Sequence, residues 1–174
     1  MHLPAVYLNG AQLDLSHLKK FRLKATIELP PNITKLVDVE FLFTSHCYSR
    51  RLLKDEAAPR GQLIREGDPN SSRNRVFDQT RYDLSKFLKA HLEELVQTNG
   101  DVSKTNKHNF FRITDSGTGT KYFIIMNAKK IAEPGRPKHM QVVIESAYPD
   151  DPNKPSPNPH GGRTFGQMLG EKWI

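Results

Sequence analysis

The clearest pattern along the chain is a strict alternation from Phe21 to Leu29. Phe21, Leu23, Ala25, Ile27 and Leu29 fall on one side, with Arg22, Lys24, Thr26 and Glu28 opposite, the period of a half-buried antiparallel strand. Pro30-Pro31-Asn32 ends it, since neither proline can donate to a ladder. A second strand is predicted from Leu36 to about Tyr48, with Val37, Val39, Phe41 and Phe43 on its core face and Asp38 and Glu40 on the other. Continued in the same register it carries Ser45 and Cys47 on the core side and Thr44, His46 and Tyr48 opposite. A bulge near Ser45 would reverse that assignment. Ahead of both strands, Asn9-Gly10 between two short apolar runs predicts a tight hairpin within Ala5–Leu15, because both residues tolerate positive φ.

The pattern changes period once. Leu84, Phe87, Leu88, Leu92, Leu95 and Val96 form a helical stripe, with Lys86, Lys89, Glu93 and Glu94 on the wet side. Asp83 or Ser85 caps this helix and Asn99-Gly100 stops it. Three strands are predicted beyond it, Asn109 to Thr114, Lys121 to Lys129 and His139 to Tyr148. Ser116-Gly117-Thr118-Gly119 and Glu133-Pro134-Gly135-Arg136-Pro137 supply the turns between them. Leu53 to Asn74 is polar and weakly periodic, with turn signals at Pro59-Arg60-Gly61 and Asp68-Pro69-Asn70, and reads as a long loop, either a functional flap or an insertion. From Pro149 onward Pro, Asn, Asp and Gly dominate, a tail that wraps the surface until Phe165, Met168, Leu169 and Trp173 dock it. The expected fold is α+β: an antiparallel sheet of about five to six strands, N-terminal hairpins plus a C-terminal meander, packed against one main helix. The 174 residues suit one domain, with N-terminal strands in 1–35, a core in 36–148 and the tail in 149–174.

Charge adds a partner class. Lys and Arg number 26 against 19 Asp and Glu, a net charge of +7, and the sequence pI is about 9.5 with a mean hydropathy of −0.62. Such an excess favours polyanions, RNA or another nucleic acid first, because neutralised phosphates release counterions. One cysteine, Cys47, excludes an intramolecular disulfide and a thiolate metal cluster within the chain. No apolar run approaches a membrane span and no apolar leader opens the sequence, so the expected setting is cytoplasmic, without a membrane partner. The seven histidines show no HxH or HExxH spacing, and neither a Walker loop nor GxGxxG is present. The reading therefore carries no metal and no cofactor.

Four stretches hold groups able to do chemistry. In Ser45-His46-Cys47, neighbours on a regular strand point to opposite faces, so His46 is poorly placed to activate Cys47. Cys47 reads as a small buried hydrophobe, while His46 at the strand end is either an acid or base or an ordinary surface histidine. Arg75-Val76-Phe77-Asp78 with Arg81-Tyr82 precedes the helix. There Arg75 and Arg81 are able to hold a phosphate and Tyr82 to stack on a base, or else Asp78 pairs with Arg75 or Arg81 in a structural knot. Glu145-Ser146-Ala147-Tyr148-Pro149 ends the last strand, with Ser146 and Tyr148 expected on the side of Val142 and Ile144 and Glu145 facing away. A carboxylate, a hydroxyl and a phenol suit acid–base work, and equally suit a strand running into a solvated turn. The basic pairs Lys19-Lys20, Arg50-Arg51 and Lys129-Lys130 are scattered, and Arg51 is the member nearest the other candidates.

The ordered set Ser45-His46-Cys47, Arg75-Val76-Phe77-Asp78, Arg81-Tyr82-Asp83-Leu84-Ser85, Asn109-Phe110-Phe111 and Glu145-Ser146-Ala147-Tyr148 resembles an uncharacterised family of small bacterial proteins over residues 37–150. Residues 81–150, a helix and a strand meander ending Ser146-Ala147-Tyr148-Pro149, are similar to the barnase–EndoU–colicin–RelE class of metal-independent ribonucleases. In that class the last strand often supplies a hydroxyl in such a setting, and basic and histidine residues complete the site. The two N-terminal strands and Glu145 depart from its pattern. The resemblance implies RNA cleavage by the 2′-hydroxyl, as a toxin or defence effector with an inhibitory protein partner. His46 would be the acid or base, Arg81 the phosphate ligand, and Ser146 and Tyr148 the positioning groups. Arg51, Arg75, Tyr82 and Glu145 would bind substrate. A non-catalytic module binding nucleic acid or protein, and an enzyme for a small anionic substrate, are the alternative readings.

Overall fold

The structure is a computed structural model that describes residues 3, 6–66, 73–106, 108–114, 120–151 and 155–174. Strands β1 (Tyr7–Leu8) and β2 (Ala11–Gln12) form the expected hairpin, with Asn9 and Gly10 at φ 51° and 85°. β3 (Phe21–Leu29) and β4 (Ile33–Phe43) pair antiparallel through the Pro-Pro-Asn turn, Phe21 opposite Phe41 and Leu29 opposite Ile33. The chain continues through β5 (Ser49–Arg51), β6 (Leu63–Glu66), β7 (Arg73–Phe77), α1 (Gln79–Ser85), α2 (Leu88–Thr98) and β8 (Asp101–Lys104). Then come β9 (Asn109–Thr114), β10 (Lys121–Ile131), β11 (His139–Pro149), β12 (Gly161–Thr164) and α3 (Phe165–Trp173).

One curled sheet carries seven of these strands in the order β12-β8-β9-β10-β11-β4-β3. It is antiparallel as expected, apart from the parallel pair β11–β4 next to the β3 edge. That pair arises because β4 leaves through the small sheet and both helices before the β9–β11 meander returns beside it. The small sheet, β5-β7-β6, has strand β6 and the first two residues of β7 in the stretch read as a loop, and β5 just precedes that stretch. Its strands show no apolar alternation because only Ile64, Val76 and Phe77 of them are buried hydrophobics among the described side chains. The expected turns at Asp68-Pro69-Asn70 and Ser116–Gly119 lie outside the described residues.

The single expected helix is two. Asp78, not Asp83 or Ser85, is the N-cap of α1, its Oδ1 accepting from Arg81 N at 3.0 Å. α1 then tightens, Lys86 and Phe87 donating to the carbonyls of Asp83 and Leu84, and the Ser85 hydroxyl donates to Tyr82 O at 2.7 Å in competition with the helix ladder. Phe87 falls in this break and is 59% exposed, while Leu88, Leu92 and Leu95 of α2 are fully buried. Asn99 ends α2 in the left-handed region, φ 48°.

The tail does more than wrap. β12 adds to one edge of the large sheet, and α3, which follows directly, packs on β3 at the other edge. Phe165, Met168 and Leu169 are buried in the core, Phe165 stacked on Phe41, and Lys35 and Lys130 stand over the Trp173 ring. Glu28 of β3 accepts from Thr164 Oγ1 at 2.8 Å and from Asn99 Nδ2 at 2.7 Å, joining β3, α2 and α3 at one carboxylate.

Two histidines sit at the helix layer in partly dry surroundings. His17 Nε2 meets Ser85 Oγ at 2.8 Å and His91 stands beside Tyr122, and burial lowers the pKa of both from the ordinary 6.5. The unfolded chain therefore takes up protons on these two side chains more readily than the folded one. Their contribution is present above about pH 6.5 and declines as the pH falls below it. Urea denaturation at pH 7.5 and 5.5 should show lower stability at 5.5, with the difference reduced in a His17→Gln, His91→Gln double variant. An undiminished difference would place its origin elsewhere.

Candidate functional site

β11 is regular from His139 to Ile144, and then its register shifts. Met126 pairs with Ile144 but Ile125 pairs with Ser146, which makes Glu145 the extra residue of a β-bulge. Met140, Val142 and Ile144 are buried on the helix-covered face, and past the bulge it is Ala147 that is buried. Ser146 and Tyr148 therefore lie on the opposite face, beside their cross-strand partners Ile125 and Phe123. The sequence register placed them with Val142 and Ile144. One inserted residue carries them across the sheet.

At the same level β4 leaves the sheet. Thr44 N donates to Ile144 O at 3.2 Å. The Thr44 hydroxyl donates to Glu145 O at 2.8 Å and accepts from His46 N at 3.2 Å. That hydroxyl caps a 3-10 turn, Ser45–Cys47, where the strand had been expected to continue. His46 is half-buried on this turn. Cys47 is fully buried, its thiol directed at Ile144 O at 3.9 Å, and burial pushes its pKa up to about 12. A thiol kept protonated in this way is a packing group, not a nucleophile. Iodoacetamide at pH 8 should label Cys47 only after denaturation. Rapid alkylation of the native chain would contradict that placement.

Arg81, in the first turn of α1, joins these pieces. Its Nη1 donates to His46 O at 3.1 Å and to Ser49 O at 3.0 Å, and its guanidinium stands 5.3 Å from the centre of the Tyr148 ring. The side chain is 18% exposed, with Asp78 at 4.0 Å from Nε. Burial draws its pKa down while Asp78 works against that shift. Arg75 is buried too, donating to the hydroxyl and carbonyl of Ser49, each at 2.7 Å. Both arginines expected to bind phosphate thus hold the main chain at the corner after Cys47, and Asp78 is part of the same knot. Tyr82 turns elsewhere, its hydroxyl donating to Asp14 O at 3.0 Å and its ring against His17 and Phe77. Arg51 is exposed on β5.

The His46 main chain, the Arg81 guanidinium and the Tyr148 ring thus lie together at the end of β11, and Thr44 joins the His46 N–H to the Glu145 carbonyl. The same face carries a contact that the sequence reading missed. His108 Nδ1 meets Glu145 Oε2 at 2.7 Å, and the two side chains are 45% and 33% exposed. His108 is held from behind: its N–H donates to Thr105 Oγ1 at 3.1 Å, and its carbonyl accepts from Thr105 N at 2.8 Å. Among the described residues no three His, Cys, Asp or Glu side chains gather as a metal set, and no helix is long and apolar enough to cross a membrane. A groove between the β3–β4 turn and α3 is lined by none of the residues named for chemistry.

The sequence profile of the YjaZ family matches residues 4–172, nearly the whole chain. The chain belongs to the YjaZ family. The match extends beyond the 37–150 stretch of the resemblance at both ends, taking in β3 and α3 as well as the β4–β11 core. Searches of curated proteins and of solved structures find no match. The chemistry of this YjaZ-family chain is therefore argued from its own residues.

Proposed function

We propose that this chain is a metal-independent endoribonuclease whose site is the end of β11. The observation that carries the reading is main-chain convergence: the His46 carbonyl and the Tyr148 ring both meet the Arg81 guanidinium, and the Thr44 hydroxyl joins the His46 N–H to the Glu145 carbonyl. The net charge of +7 supports a polyanionic substrate. In this reading His46 transfers a proton, Ser146 contacts the scissile phosphate, and Tyr148 borders the site. Arg81 is a positioning residue, because its Nη1 is directed to two main-chain carbonyls and its Nε stands by the Asp78 carboxylate. The 2′-hydroxyl is the nucleophile, so the protein supplies proton transfer and charge stabilisation alone.

Single-stranded RNA incubated with the chain in EDTA should be cut to fragments with 2′,3′-cyclic phosphate ends. His46→Ala should slow that cut by about 10²-fold, the usual scale for losing an acid–base group, without lowering the melting temperature. Cleavage that required Mg²⁺ would overturn the proposal. A binding module without catalysis is the second reading, favoured by the inward direction of Arg75, Arg81 and Tyr82. RNA binding without any cut in this assay would establish it instead.

A further inference from the structure

We infer that His108 and Glu145 are a proton-transfer pair of this site, acting on the 2′-hydroxyl of single-stranded RNA. The inference rests on the ribonuclease reading and assigns it a base. Three features set the pair apart from an ordinary surface ion pair. The first is the bulge: Glu145 is the one inserted residue of β11, and the insertion turns it and Ser146 toward the face on which His108 stands. The second is anchorage on both sides. Thr105 bonds the His108 main chain at two points, and the Thr44 hydroxyl bonds the Glu145 carbonyl. The third is the neighbour. The same Thr44 hydroxyl accepts from His46 N, which places a second imidazole-bearing residue next to the pair's carboxylate strand.

With Nδ1 facing the Glu145 carboxylate, the imidazole is oriented and Nε2 is the nitrogen left to exchange a proton with substrate. Neutral His108 takes the proton of the 2′-hydroxyl as the 2′-oxygen bonds to phosphorus. The bond from phosphorus to the 5′-oxygen breaks, and that oxygen leaves with a proton from the imidazolium of His46. One proton is gained at His108 and one lost at His46, and exchange with water restores both. The products are a 2′,3′-cyclic phosphate and a 5′-hydroxyl, with no oxidant, metal or cofactor consumed.

The test is kinetic, on the full chain with single-stranded RNA in EDTA. His108→Ala should lower kcat by about 10²-fold and Glu145→Gln by about 10-fold. KM should change little and the melting temperature should stay near that of the parent, since both side chains are partly exposed. His108→Gln, which keeps the polar contact but cannot transfer the proton, should be as slow as His108→Ala. Cleavage by the parent that neither position affects would overturn the pair and leave the ribonuclease reading standing. A loss in His108→Ala that His108→Gln restores would also overturn it, by showing a structural role. A parent chain that cuts no RNA would overturn the reading and the pair together.

Discussion

Gly170→Ala should destabilise the chain by about 3 kcal/mol, the upper end of the usual cost of overpacking. Helix propensity alone says the opposite, since alanine inside a helix is favoured over glycine by about 1 kcal/mol. The sign is decided by β3. Gly166 and Gly170 lie one turn apart on α3 and face the main chain of the first edge strand. A Cβ at Gly166 would stand 2.7 Å from Thr26 O, and one at Gly170 would overlap the Glu28 carbonyl oxygen and carbon outright. The obstacle is backbone paired in the sheet, so no side-chain rotation relieves it. In thermal unfolding the melting temperature should fall by roughly 6–12 °C, given about 2–4 °C per kcal/mol for a chain of this size. An unchanged or raised value would mean that α3 does not close on β3 as described.

Arg81→Ala should be as costly, and for a different reason. Two carbonyls, His46 O and Ser49 O, accept from the Arg81 guanidinium, the second of them also from Arg75. Bonds to charged groups contribute about 1.5–3 kcal/mol each, so a loss of about 3 kcal/mol or more is expected. Arg81→Lys should recover only part of it, because an ammonium lacks the planar fork. RNA cleavage by Arg81→Ala should then fall together with the folded fraction. An Arg81→Ala protein that melted within a degree or two of the parent but cut no RNA would make Arg81 a phosphate ligand after all.

Periodicity made much of the fold legible. β3 came from a strict two-residue alternation, and β9, β10 and β11 were bounded to within a residue or two by their Gly, Pro and polar turns. The two short strands at the β12 side of the large sheet were not legible. β8 and β12 are four residues each, and only Val102 of β8 is buried among them. The parallel pairing of β11 with β4 is a long-range choice that no local pattern encodes. At the site, the difficulty was parity. Glu145, Ser146 and Tyr148 are singled out by their residue types, but a bulge adds one residue and reverses every facing assignment past it. His108 was missed because its partner lies two strands away. The β9–β10 and β10–β11 pairings set Asn109, the residue after His108, level through Met126 with Ile144, the residue before Glu145.

The central claim is that RNA meets the protein at the end of β11. The most direct measurement is an amide chemical-shift titration of the full chain with a single-stranded oligonucleotide whose 2′-deoxy backbone cannot be cut. Shifts should concentrate at 44–47, 108–112 and 145–148 and weaken as salt is raised, with α2 and α3 unaffected. Shifts gathered on the α2–α3 side, or none at low salt and millimolar oligonucleotide, would contradict it.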